Sequence, residues 1–174
     1  MDILIVGGRS RADYLIESFV KKGGHNRIVA VNSDRSYCGY LASRHGIRVI
    51  CSDGTSYRAL ESADIAGFDV VVALTSIDAD NFTICQLAKH CFGIDRQVCT
   101  VGNPENVEAF ERLGITAPIS SASTMVRAIQ ESLEDTDPIR DRFDHSGREL
   151  SEESSRGGSP DKEGTNFWRR IGRL

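Results

Sequence analysis

Short apolar runs alternate with stretches of helical periodicity along the first 120 residues, and this alternation constrains the fold more than any other feature. The apolar runs cover residues 3–6, 27–31, 47–51, 70–73, 97–101 and 117–119. The helical stretches cover residues 12–22, 36–45, 56–63, 78–91, 104–113 and 123–133. Strands that alternate with helices are typical of βαβ units with parallel strands. We therefore predict an α/β fold, namely a Rossmann-like doubly wound parallel six-stranded sheet with strand order 3-2-1-4-5-6.

The composition changes near residue 134. From residue 135 onward the chain is charged, rich in serine and glycine, and nearly free of large apolar residues until Phe167. Such a segment buries too little apolar surface to offset the entropy of ordering it. We therefore predict a folded domain over residues 1–134 and a disordered tail over residues 135–174. The tail ends in a short basic and aromatic segment, residues 167–174, that could dock on a partner or rest at a membrane surface. The alternatives are an incidental end of the chain and a segment that folds back on its own domain.

The net charge of -4 gives the protein no overall attraction for nucleic acid or for an anionic membrane. No apolar run approaches the roughly 20 residues that a membrane helix needs. No basic region leads into an apolar signal segment at the N-terminus. These features predict a cytoplasmic protein without a nucleic-acid partner.

The cysteines are odd in number and show no C-x-x-C spacing: they are Cys38, Cys51, Cys85, Cys91 and Cys99. Their apolar or helical surroundings predict buried, reduced thiols. None of the four histidines stands at ligand spacing to a cysteine pair, so we predict no metal site.

Glycine and small polar residues follow the apolar runs. Gly7 and Gly8 follow the first run, Asp53 the third, and Thr75 and Ser76 the fourth. A residue without Cβ lets the backbone approach a pyrophosphate and directs helix N–H groups toward it. Because ligands of doubly wound sheets bind at the carboxyl ends of the strands, these loops predict a nucleotide site.

The order and the residue sequences of these segments resemble those of the TrkA-N (RCK/KTN) domain. That domain is the nucleotide-binding N-terminal lobe of proteins that regulate potassium uptake and conductance. The resemblance spans residues 1–130. It rests on the glycine loop, on Ser52–Thr55, on Thr75–Asn81 and on the segments 85–89 and 103–106. It implies that residues 1–134 are a TrkA-N-like Rossmann domain.

The loops depart from the family pattern at several positions. The loop G-x-G-R-x-G of the family has Arg9 in its second glycine slot here, unless a one-residue slip makes Gly8 serve, and Ser10 in its arginine slot. Asn32 replaces the acidic residue that bonds the adenosine ribose, and Thr100 replaces an arginine after strand five. Asp34 is expected to face away from the ligand and to cap the following helix.

The resemblance implies NAD or NADH as the ligand, with ATP or ADP as alternatives. The implied ligand-binding residues are Gly7, Gly8, Arg9, Ser10, Arg11, Asn32, Asp53, Thr75, Ser76 and Thr100. A structural interpretation stays open for some of them: Asp53 is also a turn former, and Ser76 or the neighbouring Asp78 also suits a helix cap.

The family implies a regulatory subunit of a Trk/Ktr-type potassium uptake system, in which nucleotide binding is coupled to transporter gating. The implied partners are the membrane subunit of a potassium transporter and a second TrkA-like subunit carrying the C-terminal lobe. The protein would then lie in the cytoplasm, at the inner face of the membrane. The alternative is a degenerate Rossmann module for dimerisation or docking that no longer binds nucleotide, and so has no cofactor.

An enzyme is not predicted. A nicotinamide-dependent oxidoreductase needs a substrate domain and a proton-transfer group, and no such domain fits after residue 134. The histidines are expected on the surface, at helix ends or in the tail: His25, His45, His90 and His145. We predict no catalytic and no metal-binding residue.

A homo-oligomer is predicted, because the family's N-lobes pair. An apolar stripe on the last helix is the candidate contact: Met125, Val126, Ile129 and Leu133. The alternative is that this stripe packs on the sheet of its own chain.

Overall fold

The computed structural model describes residues 1–23 and 26–134. The predicted tail over residues 135–174, its terminal segment 167–174, and the surface placement of His25 and His145 lie outside the described residues. Within the described part, no helix has the length and apolar character needed to cross a bilayer.

Strands and helices alternate along the whole described chain. The strands are β1 (Asp2–Val6), β2 (Arg27–Asn32), β3 (Arg48–Cys51), β4 (Val70–Ala73), β5 (Arg96–Val101) and β6 (Ala117–Ser120). The helices are α1 (Arg9–Lys21), α2 (Arg35–His45), α3 (Tyr57–Ser62), α4 (Asp78–Phe92), α5 (Asn106–Arg112) and α6 (Ser121–Glu134).

All strand pairs are parallel, and the sheet order is β3-β2-β1-β4-β5-β6. This confirms the predicted fold class and strand order. Helix ends differ from the predicted ones by a few residues. For example, α5 begins at Asn106 because Pro104 lies in the turn before it, where its carbonyl accepts a bond from the Val107 N–H.

The sheet is covered on both faces, which explains why its central strands are apolar throughout. Ile3 and Ile5 of β1 face a cluster that includes α1 and α2. Leu4 and Val6 face the opposite cluster, which includes α3, α4 and α5. The two halves of the chain therefore wind to opposite faces of the sheet. They diverge at β1 and β4, and this divergence leaves a crevice beyond the carboxyl ends of these two strands.

The expectations for the cysteines and for the histidines are each wrong in part. Cys51 and Cys91 are exposed, whereas the other three cysteines are buried; all five are free thiols. His45 is not a surface residue: its side chain is 5% exposed, and Nε2 lies 2.6 Å from Asp13 Oδ1. Spacing along α2 could not reveal this burial, because α1 supplies the partner.

The apolar stripe on α6 does not pack on its own sheet. Its four side chains are 52% to 70% exposed, and α6 has no buried residue. The alternative that this stripe packs on the sheet of its own chain is therefore wrong.

Candidate functional site

A cleft of about 400 Å³ opens at the carboxyl ends of β1, β2 and β4. All predicted site residues except one line it: Gly7, Gly8, Arg9, Ser10, Arg11, Asn32, Asp53, Thr75 and Ser76. The exception is Thr100, which lies one layer behind the cleft. The sheet topology thus brings together residues from four separate loops.

Two glycines let the loop after β1 approach the loop after β4. A Cβ on Gly7 would lie 2.9 Å from Thr75 Cγ2, and a Cβ on Gly8 would lie 2.6 Å from Leu74 Cβ. Both glycines have positive φ angles, +73° and +89°. Arg9 follows with φ +37°. The residue in the family's second glycine slot therefore has a backbone conformation that favours glycine.

The start of α1 is suited to an anion. Its N-cap residue is Gly8, and no side chain caps the first turn. The first N–H groups of a helix lack partners within the helix and carry a partial positive charge. Arg9 and Arg11 add two cations at the same end. The site can therefore receive the phosphates of a nucleotide without a side-chain cap having to be displaced.

The two arginines do not fill the cleft with unpaired charge. Arg9 Nη2 lies 3.0 Å from Asp34 Oδ2, and the Arg9 side chain is 76% exposed. Arg11 Nη2 donates to the carbonyl oxygen of Leu74 at 3.2 Å. The Arg9–Asp34 ion pair connects the loop after β1 to the end of β2.

Asp34 has two roles, of which only one was predicted. Its Oδ1 accepts bonds from the N–H groups of Ser36 and Tyr37, so the predicted cap of α2 is confirmed. Asp34 also lines the cleft, whereas strand alternation predicted that it faces away. Its hydrogen bonds from Ser36 and Tyr37, together with the nearby Arg9, hold the pKa of the carboxyl below its ordinary value. Asp34 therefore provides a carboxylate at the end of β2, two residues after the altered position.

Asn32 is 6% exposed and is held in place by the chain around it. Its Oδ1 accepts the Asp34 N–H at 2.9 Å, and its backbone carbonyl accepts the Ser52 N–H at 2.9 Å. The uncharged amide can exchange hydrogen bonds with a ribose hydroxyl.

Asp53 forms a turn and also lines the cleft. Its Oδ1 accepts bonds from the N–H and the hydroxyl of Thr55. Gly54 follows with no room for a side chain, since a Cβ there would lie 2.2 Å from Val6 Cγ1. The turn interpretation of Asp53 is therefore confirmed, and Gly54 lets the turn close onto β1.

The loop after β4 is held by Asn81, a buried residue of α4 that ends the Thr75–Asn81 segment but was not among the predicted site residues. Asn81 Oδ1 accepts the Thr75 N–H, and its Nδ2 donates to the carbonyls of Thr75 and Thr100. Thr100 therefore supports the cleft through its contact with Asn81. A polar residue on the otherwise apolar inner face of α4 was the signal that could have revealed this role.

Neither Ser76 nor Asp78 caps α4. The N-cap residue is Ile77, and it makes no side-chain cap bond. Asp78 instead accepts bonds from the N–H groups of Gly102 and Asn103 and from Asn106 Nδ2, so it fixes the loop after β5. Ser76 lines the cleft.

The cations and the carboxylates of the cleft come from different loops, and Arg9 and Asp34 pair where two of these loops meet. Arg9 and Arg11 lie at the β1 loop, whereas Asp34, Asp53 and Asp80 lie around the rest of the lining. Phosphates suit the first side, and the hydroxyls of a ribose suit the second. Among the described residues, no group of three or more His, Cys, Asp or Glu side chains is arranged to hold a metal ion.

Comparison with known proteins gives a family match and several relatives. The sequence model of the TrkA-N domain matches residues 3–121. The Trk system potassium uptake protein TrkA homolog of Methanothermobacter thermautotrophicus is 32% identical over 124 residues, which cover 71% of this chain. The chain spans 56% of the length of that relative.

Solved structures share the fold at low sequence identity. The TrkA-N domain of the inner membrane protein ybaL from Escherichia coli has a TM-score of 0.69 at 14% identity, covering 76% of this chain and 96% of that one. The GsuK channel bound to NAD has a TM-score of 0.59 at 19% identity, covering 68% of this chain and 21% of that one. GsuK has also been solved bound to ADP.

Proposed function

The chain belongs to the TrkA-N domain family, and from this premise we propose that residues 1–134 bind an adenine nucleotide and regulate a potassium uptake system. NAD or NADH is the proposed ligand, with ATP or ADP as alternatives. The observation that carries the proposal is the cleft itself. It lies at the divergence of β1 and β4, with an uncapped helix N-terminus and two arginines on one side and carboxylates on the other.

The positions of the arginines and the carboxylates suggest one orientation for the ligand. The phosphates would lie at the start of α1, near the Gly7–Gly8 turn and Arg11. The adenosine ribose would lie at the end of β2, where Asn32 and Asp34 offer hydrogen-bonding groups. The names of related structures, a channel bound to NAD and the same channel bound to ADP, support this class of ligand.

The regulatory part of the proposal comes from the named relatives, which are Trk system potassium uptake proteins. The partners would be the membrane subunit of a potassium transporter and a second TrkA-like subunit with a C-terminal lobe. The protein would act at the cytoplasmic face of the membrane and catalyse no reaction. A nucleotide can bias such an assembly only if it binds two states of the assembly with different affinity.

A melting experiment on the full chain tests ligand binding. NAD, NADH, ATP and ADP are added one at a time, and the melting temperature is recorded. At 100 times its dissociation constant, a ligand adds about 2.7 kcal/mol of stability. For a domain of this size we expect a rise of about 5–10 °C.

Ser10→Glu provides the matched variant. Ser10 lines the cleft in the first turn of α1, where an acidic side chain is favourable for the helix but repels phosphate. Ser18→Glu makes the same change further along α1, on an exposed position outside the cleft. We expect Ser10→Glu to abolish the ligand-induced rise and Ser18→Glu to preserve it. If no nucleotide raises the melting temperature of the unmodified chain at millimolar concentration, the degenerate docking module becomes the better interpretation. The departures at Arg9 and Asn32 favour that second candidate.

A further inference from the structure

Two cysteines from different elements meet at the end of β2, behind the cleft. Cys38 lies in the first turn of α2, and Cys51 is the last residue of β3. Cys51 is the register partner of Asn32 in the parallel β2–β3 pair. The Cys38 thiol donates to the Asn32 carbonyl at 3.1 Å, so its sulfur lies at the same point of the sheet edge. Cys38 and Cys51 therefore adjoin the same residue of β2, one through its thiol and the other through the strand register.

The two thiols differ in their access to solvent. Cys51 is exposed, because β3 is the edge strand and Cys51 ends it. Cys38 is 7% exposed. Burial, followed by the influence of Cys51, raises the pKa of Cys38 to about 11, so Cys38 remains a protonated thiol at neutral pH. A dissolved reagent therefore reaches Cys51, whereas the Cys38 thiol is shielded from solvent.

We propose that Cys38 and Cys51 form a redox-active pair that hydrogen peroxide closes to a disulfide. This inference does not depend on nucleotide binding. A disulfide needs its two sulfurs at about 2.05 Å, and a local movement can bring them together because both cysteines adjoin Asn32.

The reaction proceeds in two balanced steps. Cys51 Sγ attacks the peroxide: an S–O bond forms, the O–O bond breaks, and one water leaves, which gives a sulfenic acid at Cys51. Cys38 Sγ then attacks Cys51 Sγ: the S–S bond forms, the S–O bond breaks, and the Cys38 proton leaves in a second water. Two thiols lose two electrons, and one peroxide molecule is reduced to two waters. The product no longer has the Cys38 S–H donor that bonds to Asn32, a residue that lines the cleft.

The chain contains its own comparison pair. Cys85 of α4 and Cys99 of β5 belong to one core cluster, and both are fully buried. The two pairs therefore differ in solvent exposure. Susceptibility to oxidation follows thiolate character and solvent access, so the buried pair should react more slowly. Cys91 is exposed near the end of α4 and belongs to neither pair.

The test treats the folded, full chain with hydrogen peroxide, blocks the remaining thiols by alkylation, and maps the cysteine peptides by mass spectrometry. We expect the intact protein to become lighter by two hydrogen atoms before alkylation. We expect the amount of the Cys38–Cys51 linked peptide to exceed that of any other linked pair by about tenfold, because Cys85 and Cys99 are fully buried. Dithiothreitol should restore the original mass.

Three variants sharpen the result. Cys38→Ser should leave a sulfenic acid at Cys51 that dimedone traps, because the resolving thiol is gone. Cys51→Ser should abolish the linked peptide, whereas the control Cys91→Ser should form it as the unmodified chain does. Cys51 and Cys91 are exposed, so both replacements preserve the fold, which circular dichroism verifies. The proposal is overturned if peroxide produces no Cys38–Cys51 peptide, if another pair dominates, or if Cys51→Ser loses the same two hydrogens.

Discussion

Backbone conformation at Gly8 decides how closely the loops after β1 and β4 approach each other. Gly8 combines a positive φ angle with a lack of space, because a Cβ would lie 2.6 Å from Leu74 Cβ. Gly93 has a similarly positive φ angle, +66°, but a Cβ there would meet nothing within 4 Å. The two positions therefore separate the effect of backbone conformation from the effect of crowding.

We expect Gly93→Ala to lower the free energy of unfolding by about 1–2 kcal/mol, the usual effect of a side chain on left-handed backbone. Gly8→Ala should lower it by about 1–3 kcal/mol more, because Leu74 must also move. Urea denaturation of both variants measures the difference. Equal urea midpoints for Gly8→Ala and Gly93→Ala would show that the loop after β4 can move away from the added Cβ without a loss of stability. A substitution at Gly7 would not test ligand binding alone, because a Cβ there would crowd Thr75 and disturb the loop itself.

Asn32 is the residue at which ligand preference can be changed. Asn32→Asp would place a second carboxylate beside Asp34, at the proposed ribose position. A carboxylate accepts bonds from free ribose hydroxyls and repels a 2′-phosphate. We expect the affinity for NADPH relative to NADH to fall about tenfold, which corresponds to about 1.4 kcal/mol. Calorimetric titration with both ligands measures the ratio.

Asn26→Asp is the control for that change. Asn26 stands just before the other end of β2, so the substitution alters the net charge equally but lies far from the cleft. An unchanged ratio in Asn32→Asp would mean that Asn32 does not face the ribose.

At the scale of elements, Asp78 joins the start of α4 to the loop between β5 and α5. It accepts the Gly102 N–H at 2.6 Å, the Asn103 N–H at 3.2 Å and Asn106 Nδ2 at 2.9 Å. Burial acts to raise the pKa of this carboxyl, but the three hydrogen bonds outweigh it, and the pKa is below its ordinary value. The folded state therefore favours the ionised form.

Asp78→Asn should lower the free energy of unfolding by about 1–2 kcal/mol at pH 7, since bonds to a charged acceptor are lost and the site is partly exposed. A carboxyl whose folded pKa is depressed stabilises the fold above its unfolded pKa of about 3.9 and loses that effect as pH falls through the folded pKa. The difference between the variant and the unmodified chain should therefore shrink below pH 4. Chemical denaturation at a series of pH values measures it.

Asp80→Asn serves as the matched control, because it removes a charge from the same first turn of α4. It leaves the bonds to Gly102 and Asn106 intact. A loss of stability as large as that of Asp78→Asn would assign the effect to the helix dipole.

At the scale of the whole molecule, α6 presents an apolar face that its own domain does not cover. Met125, Val126, Ile129 and Leu133 are all more than half exposed. We expect the chain to self-associate through this face, because contiguous exposed apolar surface favours association.

Ile129→Glu should shift the protein toward monomer at tens of micromolar in sedimentation velocity, since a charge would be buried in the contact. Gln130→Glu adds the same charge to the neighbouring position of α6 and should leave the distribution unchanged. A monomer at that concentration in the unmodified chain would argue against a homodimer through α6.

The sequence by itself determined the features that depend on neighbours along the chain. Apolar runs and helical periodicity predicted the six strands, the six helices and the sheet order, because each strand needs apolar residues on both faces. Local spacing also predicted Asp34 as a cap and Asp53 as a turn former, since these bonds span two or three residues. The loops that form the cleft could be predicted because parallel strands end at one edge of the sheet.

Only the tertiary structure decided which side chains meet across elements. Asn81 reaches Thr100, 19 residues away, and thereby places Thr100 behind the cleft. His45 is buried because Asp13 of another helix supplies its partner, 32 residues away. Cys51 is exposed because its strand lies at the edge of the sheet. Periodicity tells which face of an element a residue occupies, but what covers that face depends on how distant segments pack.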